Sequence, residues 1–344
     1  MVTRIMSMFQ LSDGGTPEIV DPHQAEALLA GGWSAADLHV HTLYSYDVIP
    51  TRQVDPLVLY SKARRLGMTY VAFTDHDTMA AYDRIGWTRE GLVPAVEVKV
   101  LDVRNVGHTV HINVYTLDRR QFGEIQRLAG RARDIVALTS YLTAEGLPFS
   151  FNHPFWHEPE EKPNLRAVLE IARLFPVLEY NMGRIGRINA QALRLADSLS
   201  KGIVAGTDSH IGDIGRAFTL ARGSSFKEFF NRIADRESRL CPADLTLSRL
   251  KEETALRVRQ LFDKKGWVWA KESLTMDTGN SLLDGIVRHI AKDASDAPRF
   301  SRWLLRKAIE GLSISGIPGS LYLRSQESLA DRVGRLLESV GNAV

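Results

Sequence analysis

Short apolar segments alternate with longer amphipathic segments along residues 36–206. The short segments are rich in Val, Ile, Phe and Tyr and favour strands, whereas the longer ones have the apolar spacing of helices. Repeated strand–helix units indicate parallel strands joined by helical crossovers, either closed into a barrel or left open. A turn at residues 105–107 predicts one hairpin, between the third and fourth strands. The predicted strands cover 36–40, 70–74, 92–98, 109–115, 149–152, 177–180 and 203–206, and the predicted helices cover 56–66, 79–85, 120–145, 165–175 and 189–199.

Histidines and acids gather at the ends of these predicted strands. His39 and His41 close the first strand, His76 follows the second and Glu97 ends the third. Polar groups at the C-terminal ends of successive strands mark the active face of a βα barrel. The pattern therefore predicts a single site assembled from several strands. Further along the chain, the same residue types recur at His111, His153, Asp208 and His210.

The spacing within these segments is suited to metal binding. His39 and His41 are two residues apart, so on a β-strand their imidazoles point to the same face. Such a pair can bind one metal ion, although two ordinary polar residues of a strand would show the same spacing. Asp208 and His210 repeat the arrangement after the last predicted strand. Glu97 follows an apolar run, where an unpaired carboxylate would be costly to bury, so we expect it to face a cation.

The residue types limit which metals such a site can hold. The single cysteine, Cys241, leaves no thiolate cluster and no intrachain disulfide, and it favours a reducing compartment. Ligation by His, Asp and Glu suits Zn, Mn or Fe. The candidate ligands are His39, His41, Asp47, His76, Glu97, His111, His153, Asp208 and His210. These nine exceed the needs of one four-coordinate ion, so two or three divalent metal ions are expected. The remaining histidines, which we expect not to be ligands, are His23, His108, His157 and His289.

Charge and hydropathy argue against several classes of protein. The formal net charge of +2 argues against a protein whose main role is to coat nucleic acid. No run of about 18 apolar residues is present, which argues against a transmembrane helix. The first ten residues have too short an apolar part for a signal peptide and lack a cleavage site. We therefore expect a cytoplasmic protein.

The pattern changes after about residue 224, where helices replace the strand–helix alternation. We predict an N-terminal lead-in (1–35), a barrel that carries the candidate ligands (36–222) and a mainly helical C-terminal region (223–344). The basic amphipathic segment 299–307 suits either a helix packed on the barrel or a helix on a membrane surface. The predicted C-terminal helices cover 225–239, 244–264, 282–292, 298–309 and 326–340, with strand candidates at 266–270 and 320–323.

Six ordered motifs lie between about residues 36 and 222: Asp-Leu-His-Val-His-Thr, Thr-Asp-His-Asp-Thr, a Glu after an apolar strand, His-Ile-Asn-Val-Tyr, Asn-His-Pro and Gly-Thr-Asp-Ser-His-Ile. Together they resemble the motifs of the PHP (polymerase and histidinol phosphatase) superfamily. The resemblance implies an α/β fold, a distorted (β/α)7 barrel, to which the mainly helical C-terminal region is added. It also implies a di- or trinuclear site where a metal-activated water hydrolyses a phosphoester.

The resemblance further implies how the ligands are shared among the ions. One ion would take His39, His41, Glu97 and Asp208, a second would take Asp47, His76 and His210, and a third would take Glu97, His111 and His153. Asp47 is the point at which this chain departs from the family pattern. Family members usually carry Ser-Asp-Gly after the first motif, whereas here the acid comes one place later and no glycine follows.

Four basic residues are candidates for binding the phosphate of a substrate. Arg184 and Arg187 lie in a segment after a predicted strand, where guanidinium groups above a metal site can fork onto phosphate oxygens. A solvated loop would show the same sequence. Arg216 lies just after the last motif, in a segment (215–219) that resembles a segment of the PHP superfamily. Lys99 is two residues from Glu97 and therefore shares its face of a regular strand.

The sequence thus predicts a metal-dependent phosphoesterase that acts on a small phosphorylated substrate. The substrate would be a phosphomonoester, a small phosphodiester or a nucleotide. Asp208 and His210 are the catalytic candidates, and either His210 or a metal-bound water would protonate the leaving group. Two alternatives remain open: a regulatory or partner-binding barrel that holds metal without robust catalysis, and hydrolysis of a non-phosphate substrate.

Overall fold

The computed structural model describes residues 17–158, 160–261 and 315–341, together with residues 307, 309 and 311. A ten-stranded sheet is the framework of these residues. Its strands are β1 (Glu18–Ile19), β2 (Ser34–Val40), β3 (Tyr70–Phe73), β4 (Leu92–Leu101), β5 (Thr109–Tyr115), β6 (Phe149–Phe151), β7 (Val177–Asn181), β8 (Gly202–Gly206), β9 (Phe218–Ala221) and β10 (Arg239–Cys241).

Helices connect most of these strands. They are α1 (Pro22–Ala30), α2 (Pro56–Arg65), α3 (Ala80–Ile85), α4 (Arg119–Gln126), α5 (Ile135–Ala144), α6 (Leu165–Ile171), α7 (Gly186–Ser198), α8 (Phe226–Ala234), α9 (Leu247–Leu261) and α10 (Ile317–Gly341). Short 3-10 turns cover Arg52–Val54 and Ala172–Leu174, and a π-helical turn covers Arg127–Ala132. Pro at the first position of α1 and α2, after an Asp cap, begins those helices in the expected way.

Seven consecutive strands, β2 to β8, form the curled part of the sheet. Each strand runs parallel to the next except β5, which is antiparallel to both β4 and β6. The segment after β8 returns to β2, where Val40 bridges Ser209 and the Asp208 amide donates to the His39 carbonyl oxygen at 2.8 Å. This ring of strands confirms the predicted distorted (β/α)7 barrel and its one hairpin.

Three further strands extend the sheet beyond β2, and the sequence did not predict them. β9 is antiparallel to β2, β10 is antiparallel to β9, and β1 is parallel to β10. Each has only two to four residues, which is too short for a periodic pattern to appear. The helix predicted over 225–239 therefore ends early, at Ala234, and Arg239 begins β10.

Helix α8 packs directly on the barrel. Its buried residues follow the i, i+3, i+4, i+7 spacing of an amphipathic helix. They form one apolar cluster with sheet residues that include Ala36, Leu38 and Ala72. The beginning of the predicted C-terminal region thus belongs to the packing of the barrel. The buried face consists of Phe226, Phe229, Phe230 and Ile233.

The single helix predicted over 120–145 is wrong, because the structure divides this segment. α4 and α5 are separated by the π-helical turn and by Arg133, whose φ of +53° lies in the left-handed region. The Asp134 carboxylate then accepts a hydrogen bond from the Ala137 amide at 2.9 Å and caps α5. The apolar spacing continues through the break, so the sequence pattern did not reveal it.

Helix α10 corrects another prediction. It begins well before the predicted range 326–340 and includes residues 320–323, so the strand predicted there is wrong. A short apolar run cannot be assigned to strand or helix by periodicity alone, and packing decides here in favour of a helix. Leu329, Ala330 and Val333 of α10 are buried in the main core of the molecule.

Several predictions fall outside the described residues. They concern residues 1–16, the strand at 266–270, the helix at 282–292, most of the helix at 298–309 with its basic segment, and His289. The division of the chain at residues 35 and 222 stays a prediction. Of the helices that the structure describes, none is both long enough and apolar enough to cross a membrane.

Asp102 ties the β4–β5 turn to the start of α5. Its carboxylate accepts hydrogen bonds from the backbone amides of Arg104, Asn105 and Ile135 at 2.9–3.0 Å and from the Asn105 side chain at 2.7 Å. Burial raises the pKa of Asp102, but these hydrogen bonds outweigh burial and hold the pKa below its ordinary value. We predict that Asp102→Ala lowers the free energy of unfolding by about 2–4 kcal/mol, because buried amides lose their acceptor.

Urea unfolding followed by circular dichroism measures this change. Glu170→Ala, which removes a carboxylate with a 76% exposed side chain, is the control and should be close to wild type. Because the folded-state pKa of Asp102 lies below the unfolded value, its stabilisation is present above the unfolded pKa and is lost as pH falls through the folded pKa. The difference between wild type and variant should shrink in acid, and a constant difference would contradict this origin.

Candidate metal centre

The open end of the barrel brings together all nine candidate ligands. His39, Glu97 and His111 lie on strands β2, β4 and β5, whereas the others lie on the loops that follow strands. They form four overlapping groups whose nitrogen and oxygen atoms lie within 4.8 Å of one another. These groups of His, Asp and Glu are suited to hold metal ions. The members on loops are His41, Asp47, His76, His153, Asp208 and His210.

The three ligand sets that the resemblance implies overlap these groups and are called the first, second and third group. The first group surrounds the histidine pair that ends β2. His39 Nε2 and His41 Nε2 lie 3.2 Å apart, as expected for two imidazoles on one strand face. Glu97 Oε2 lies 3.1 Å from the first nitrogen and 3.2 Å from the second. Asp208 Oδ1 lies 3.3 Å and 3.2 Å from the same two nitrogens. Two nitrogens and two carboxylate oxygens therefore converge on one point.

The second group contains the acid that departs from the family pattern. Asp47 Oδ2 lies 2.6 Å from His210 Nε2 and 3.4 Å from His76 Nε2. The Ser45 hydroxyl donates to Asp47 Oδ1 at 2.6 Å and also lies 3.2 Å from His41 Nδ1. The loop after β2 thus carries the displaced acid into the cluster, even though it comes one residue later than usual.

The third group is built around the other oxygen of Glu97. Glu97 Oε1 lies 3.1 Å from His111 Nδ1 and 3.2 Å from His153 Nε2, and the Asn152 side chain donates to it at 2.8 Å. His111 Nε2 is buried and makes no hydrogen bond with any described residue. A buried ring nitrogen without a partner fits a ligand that binds from the cavity. On this observation, the donor set fits bound metal ions.

The charges of the cluster depend on mutual contacts. Burial disfavours the charged forms of Asp47, Glu97 and Asp208, yet the facing histidines hold the pKa of each carboxyl well below its usual range. Burial likewise opposes the charge of His41, but the carboxylates raise its pKa to about 10. Burial dominates at His111 and lowers its pKa to about 3, so this imidazole stays neutral. Ionised carboxylates and a neutral imidazole are the forms that bind metal.

Glu179 contacts the cluster from the side of β7 and was not among the residues predicted from the sequence. Its Oε1 lies 2.6 Å from His39 Nδ1, and its Oε2 accepts hydrogen bonds from the His153 amide at 2.9 Å and the Asn181 side chain at 3.0 Å. Gly206 makes room for this contact, because a Cβ there would lie 2.8 Å from the His39 Cβ. The sequence did carry a signal for Glu179, because it is an acid within an apolar strand, which is the feature that identified Glu97.

A cavity opens in front of the cluster. Trp156 forms part of its wall, with its ring centroid 4.6 Å from that of His111 and 5.3 Å from that of His153. Helices α9 and α10 line the cavity together with the ligand cluster, a contribution that the sequence pattern did not predict. Their lining residues are Leu250, Glu253, Thr254, Arg257 and Tyr322.

The structure separates the four predicted substrate-binding residues. Arg184 lines the cavity and is buried. Arg187 instead forms ion pairs with acids of α10, and Arg216 is exposed outside the cavity lining. Lys99 Nζ pairs with Glu158 Oε1 at 2.7 Å. Arg184 and Arg187 are close in sequence but have different surroundings, because Arg187 lies on α7 and points towards α10 rather than towards the cavity.

The histidines that we expected not to be ligands also have defined places. His23 and His157 belong to none of the metal-competent groups among the described residues. His108 is buried, and its Nδ1 accepts a hydrogen bond from the Asn164 amide at 3.3 Å. It precedes β5, on which His111 lies, and is absent from the same groups.

Comparison with known proteins adds a family match and several similar folds. Residues 186–238 match a family model described as PHP-associated. No curated protein matches the chain. PsfC from Pseudomonas syringae is 19% identical, with a TM-score of 0.45 over 63% of this chain and 94% of that protein.

Two other solved structures are similar at the same level. A protein from Bifidobacterium adolescentis, described as a candidate metal-dependent phosphoesterase, is 19% identical with a TM-score of 0.37, over 57% of this chain and 96% of its own. The lesion-specific endonuclease EndoQ from Pyrococcus furiosus is 12% identical with a TM-score of 0.41, over 82% of this chain and 90% of its own.

The fold and the cluster define an α/β barrel protein with side chains suited to bind metal ions. The PHP-associated match falls on α7, β8, β9 and α8 and includes Asp208 and His210. This match confirms the resemblance to the PHP superfamily that the six motifs predicted. The assignment of particular side chains to particular ions stays a prediction.

The contact between Glu179 and His39 generates a prediction about metal affinity. Glu179→Gln should weaken Zn or Mn binding by about 10–100-fold, because a carboxylate behind a ligating imidazole fixes its orientation and raises its basicity. Titration against a chromophoric chelator measures the affinity. Glu170→Gln, at an exposed position of α6, is the matched control. Equal affinity in the two variants would show that Glu179 does not act through His39.

Asp47 generates a prediction about the number of ions. Asp47→Ala should reduce the bound metal by about one ion per chain, because it removes the carboxylate shared by His76 and His210. Elemental analysis after dialysis measures the content, with Asp83→Ala, at a 48% exposed side chain, as the control. Unchanged content would mean that the second group relies on another ligand, without affecting the pair His39 and His41.

Proposed function

We propose that this protein is a metal-dependent hydrolase of a phosphoester, and that its substrate is small. The observation that carries the proposal is the convergence of nine ligand-type side chains, seven of which line one cavity. A buried arginine of the same cavity wall has no carboxylate of a described residue within ion-pair distance. The cluster suits metal ions, and the arginine suits the anionic oxygens of a phosphoryl group. The match to a PHP-associated family model supports the same class.

The distances support two or three ions. The point between His39, His41, Glu97 and Asp208 would hold the first ion. The second would lie between Asp47, His76 and His210, and the third beside Glu97, His111 and His153. Because His and carboxylate ligands serve all three positions, Zn, Mn or Fe are the proposed metals.

The chain's own residues would bind and orient the substrate. When bound, ions at such a site supply a water of lowered pKa and positive charge that stabilises charge developing on phosphate oxygens. Arg184 would fork onto those oxygens from the cavity wall. The indole of Trp156 packs against His111 and His153 and would limit the access of water from that side.

His210 and Asp208 are the proposed catalytic residues. Their side chains, 14% and 11% exposed, are the most accessible of the nine ligand candidates. His210 Nδ1 lies 2.8 Å from the Asp208 carbonyl oxygen, which fixes the orientation of the imidazole. His210 can pass a proton to a leaving oxygen at the mouth of the cavity only while its Nε2 carries that proton rather than binding the second ion.

The proposed substrate is a phosphomonoester, a small phosphodiester or a nucleotide. Helices α9 and α10 contribute lining residues to the cavity in addition to those of the barrel. Walls from two parts of the chain favour a compact substrate over a long nucleic-acid duplex, although one similar fold is that of an endonuclease. The complete set of ligand side chains argues against a purely regulatory barrel.

Removal and return of metal tests the proposal. We expect the chelated protein to lose hydrolysis of aryl phosphate monoesters or diesters, and Mn or Zn to restore it, because the metal supplies the attacking group and charge stabilisation. His41→Ala should reduce the restored rate by at least about 100-fold. His23→Ala, at an exposed residue outside the metal-competent groups, is the control.

Two outcomes would contradict the proposal. Full activity in metal-free protein would exclude a metal-dependent reaction. The second outcome is that the metal-loaded protein hydrolyses amides but no member of a panel of phosphorylated metabolites. That result would show that the site acts on a non-phosphate substrate.

A further inference from the structure

Arg184 is a buried guanidinium group in the wall of the cavity. The residue is 7% exposed, and its Nε makes no hydrogen bond with a described residue. A buried charge without a counter-ion is costly, so such a group is normally paired. Among the described residues no carboxylate lies within ion-pair distance of it. An anion that enters the cavity would supply the missing partner.

Other arginines in this part of the molecule differ from Arg184 in having a carboxylate partner. Each ion pair joins two segments or two turns of one helix, so these guanidinium groups serve the packing of the chain. Among the described residues of the cavity wall, Arg184 is therefore the arginine that is left for an anionic ligand. The paired arginines are Arg187 with Glu327 at 2.7 Å, Arg249 with Asp213 at 2.6 Å and Arg257 with Glu253 at 3.0 Å.

Both ends of Arg184 are held. Its amide donates to the Asn181 carbonyl oxygen at 3.0 Å, and its carbonyl oxygen accepts from the Leu245 amide at 2.9 Å. The guanidinium carbon lies 5.8 Å from the ring centroid of Trp156. Nη1 donates to the hydroxyl oxygen of Tyr322 at 3.3 Å. The hydroxyl is the polar side-chain partner of the guanidinium group within the described chain.

Tyr322 comes from a helix that packs firmly on the barrel. Leu329, Ala330 and Val333 anchor α10 in the main core. Gly319 allows α10 to approach α9 closely, because a Cβ there would lie 3.1 Å from Leu247 Cδ1. The position of the Tyr322 hydroxyl is thus fixed by apolar packing that does not involve the metal cluster.

We propose that Tyr322 is a positioning residue for the phosphate of the substrate. Its hydroxyl holds one arm of the Arg184 guanidinium group, so that the remaining N–H groups face the phosphate oxygens in the cavity. The inference rests on the proposed phosphoester function and deepens it, because it gives the C-terminal helix a part in substrate recognition. Tyr322 acts through Arg184 and needs no contact with the reacting atoms.

A double-mutant cycle on phosphate binding tests this role. Inorganic phosphate is titrated calorimetrically into the Mn-loaded full chain of the wild type, Tyr322→Phe, Arg184→Met and the double variant. We expect Tyr322→Phe to weaken binding about fivefold, because one charge-assisted hydrogen bond is lost. Arg184→Met should weaken binding by about tenfold or more. In the Arg184→Met background, Tyr322→Phe should cause no further loss.

Tyr141→Phe is the matched control. Tyr141 lies on α5, and its buried hydroxyl makes no hydrogen bond with a described residue, so its removal should leave phosphate affinity unchanged. With an aryl phosphate as substrate, Tyr322→Phe should raise KM by the same factor as it weakens phosphate binding while kcat stays within about twofold. A merely structural defect would lower kcat or the melting temperature instead.

Each outcome decides the inference. Wild-type affinity in Tyr322→Phe, or an equal loss in both backgrounds, would overturn it while leaving the proposed function intact. Absence of phosphate binding by the wild type would also overturn it. The proposed function would then be tested separately, by whether added metal restores ester hydrolysis to the chelated protein. The expected cycle without any ester hydrolysis would support the positioning role and count against the proposed reaction.

Discussion

The arrangement of the barrel mouth depends on one buried carboxylate. Glu97 is 1% exposed and faces five imidazoles, which reach it from β2, from β5 and from the loops after β2, β3 and β6. An isolated carboxylate in this position would be strongly disfavoured, so the surrounding groups must supply positive charge. Loops from distant parts of the chain thereby converge on the middle of β4, where Glu97 lies. The same requirement makes the cluster a natural place for cations.

Other buried acids in the barrel hold loops in place. The Asp37 carboxylate accepts hydrogen bonds from the Thr207 amide at 3.1 Å and the Gly215 amide at 2.9 Å, so β2 fixes the segment that carries Asp208. The Asp75 carboxylate accepts from the Thr42 amide at 2.6 Å and fixes the loop after β2. Burial raises the pKa of both acids to about 6, in contrast to the acids that face histidines.

The C-terminal helices extend this arrangement from the barrel to the cavity. Arg249 of α9 pairs with Asp213, which accepts a hydrogen bond from Ser209 at 2.7 Å, next to Asp208. Helix α9 is thus connected to the loop that carries a ligand candidate. The cavity consequently has a floor of ligand-type side chains and a wall from a different part of the sequence. In our proposal, the ligand-type side chains of the barrel hold the catalytic metal ions, and the residues of the C-terminal helices contribute to substrate recognition.

The sequence by itself determined the alternation of strands and helices and the chemical character of the strand ends. His39 and His41 share a face because strand geometry has a period of two, and apolar patterning placed Glu97 and His111 on strands. It did not give their positions along those strands, because Glu97 lies in the middle of β4 and His111 lies near the start of β5. Such local rules predicted the strand–helix units and named all nine residues that the structure brings together, whereas the distorted (β/α)7 barrel was implied by the resemblance of the six motifs to the PHP superfamily. They failed where local patterns carry no signal, as at the break beside Arg133.

Only the tertiary structure decided which residues distant in sequence would meet. Arg184 and Arg187 are three residues apart, yet one faces the cavity and the other pairs with Glu327, because α10 packs against α7. Tyr322 reaches Arg184 across 138 residues for the same reason. Periodicity fixes the face on which a side chain lies, but the group that it meets depends on the packing of whole elements against one another.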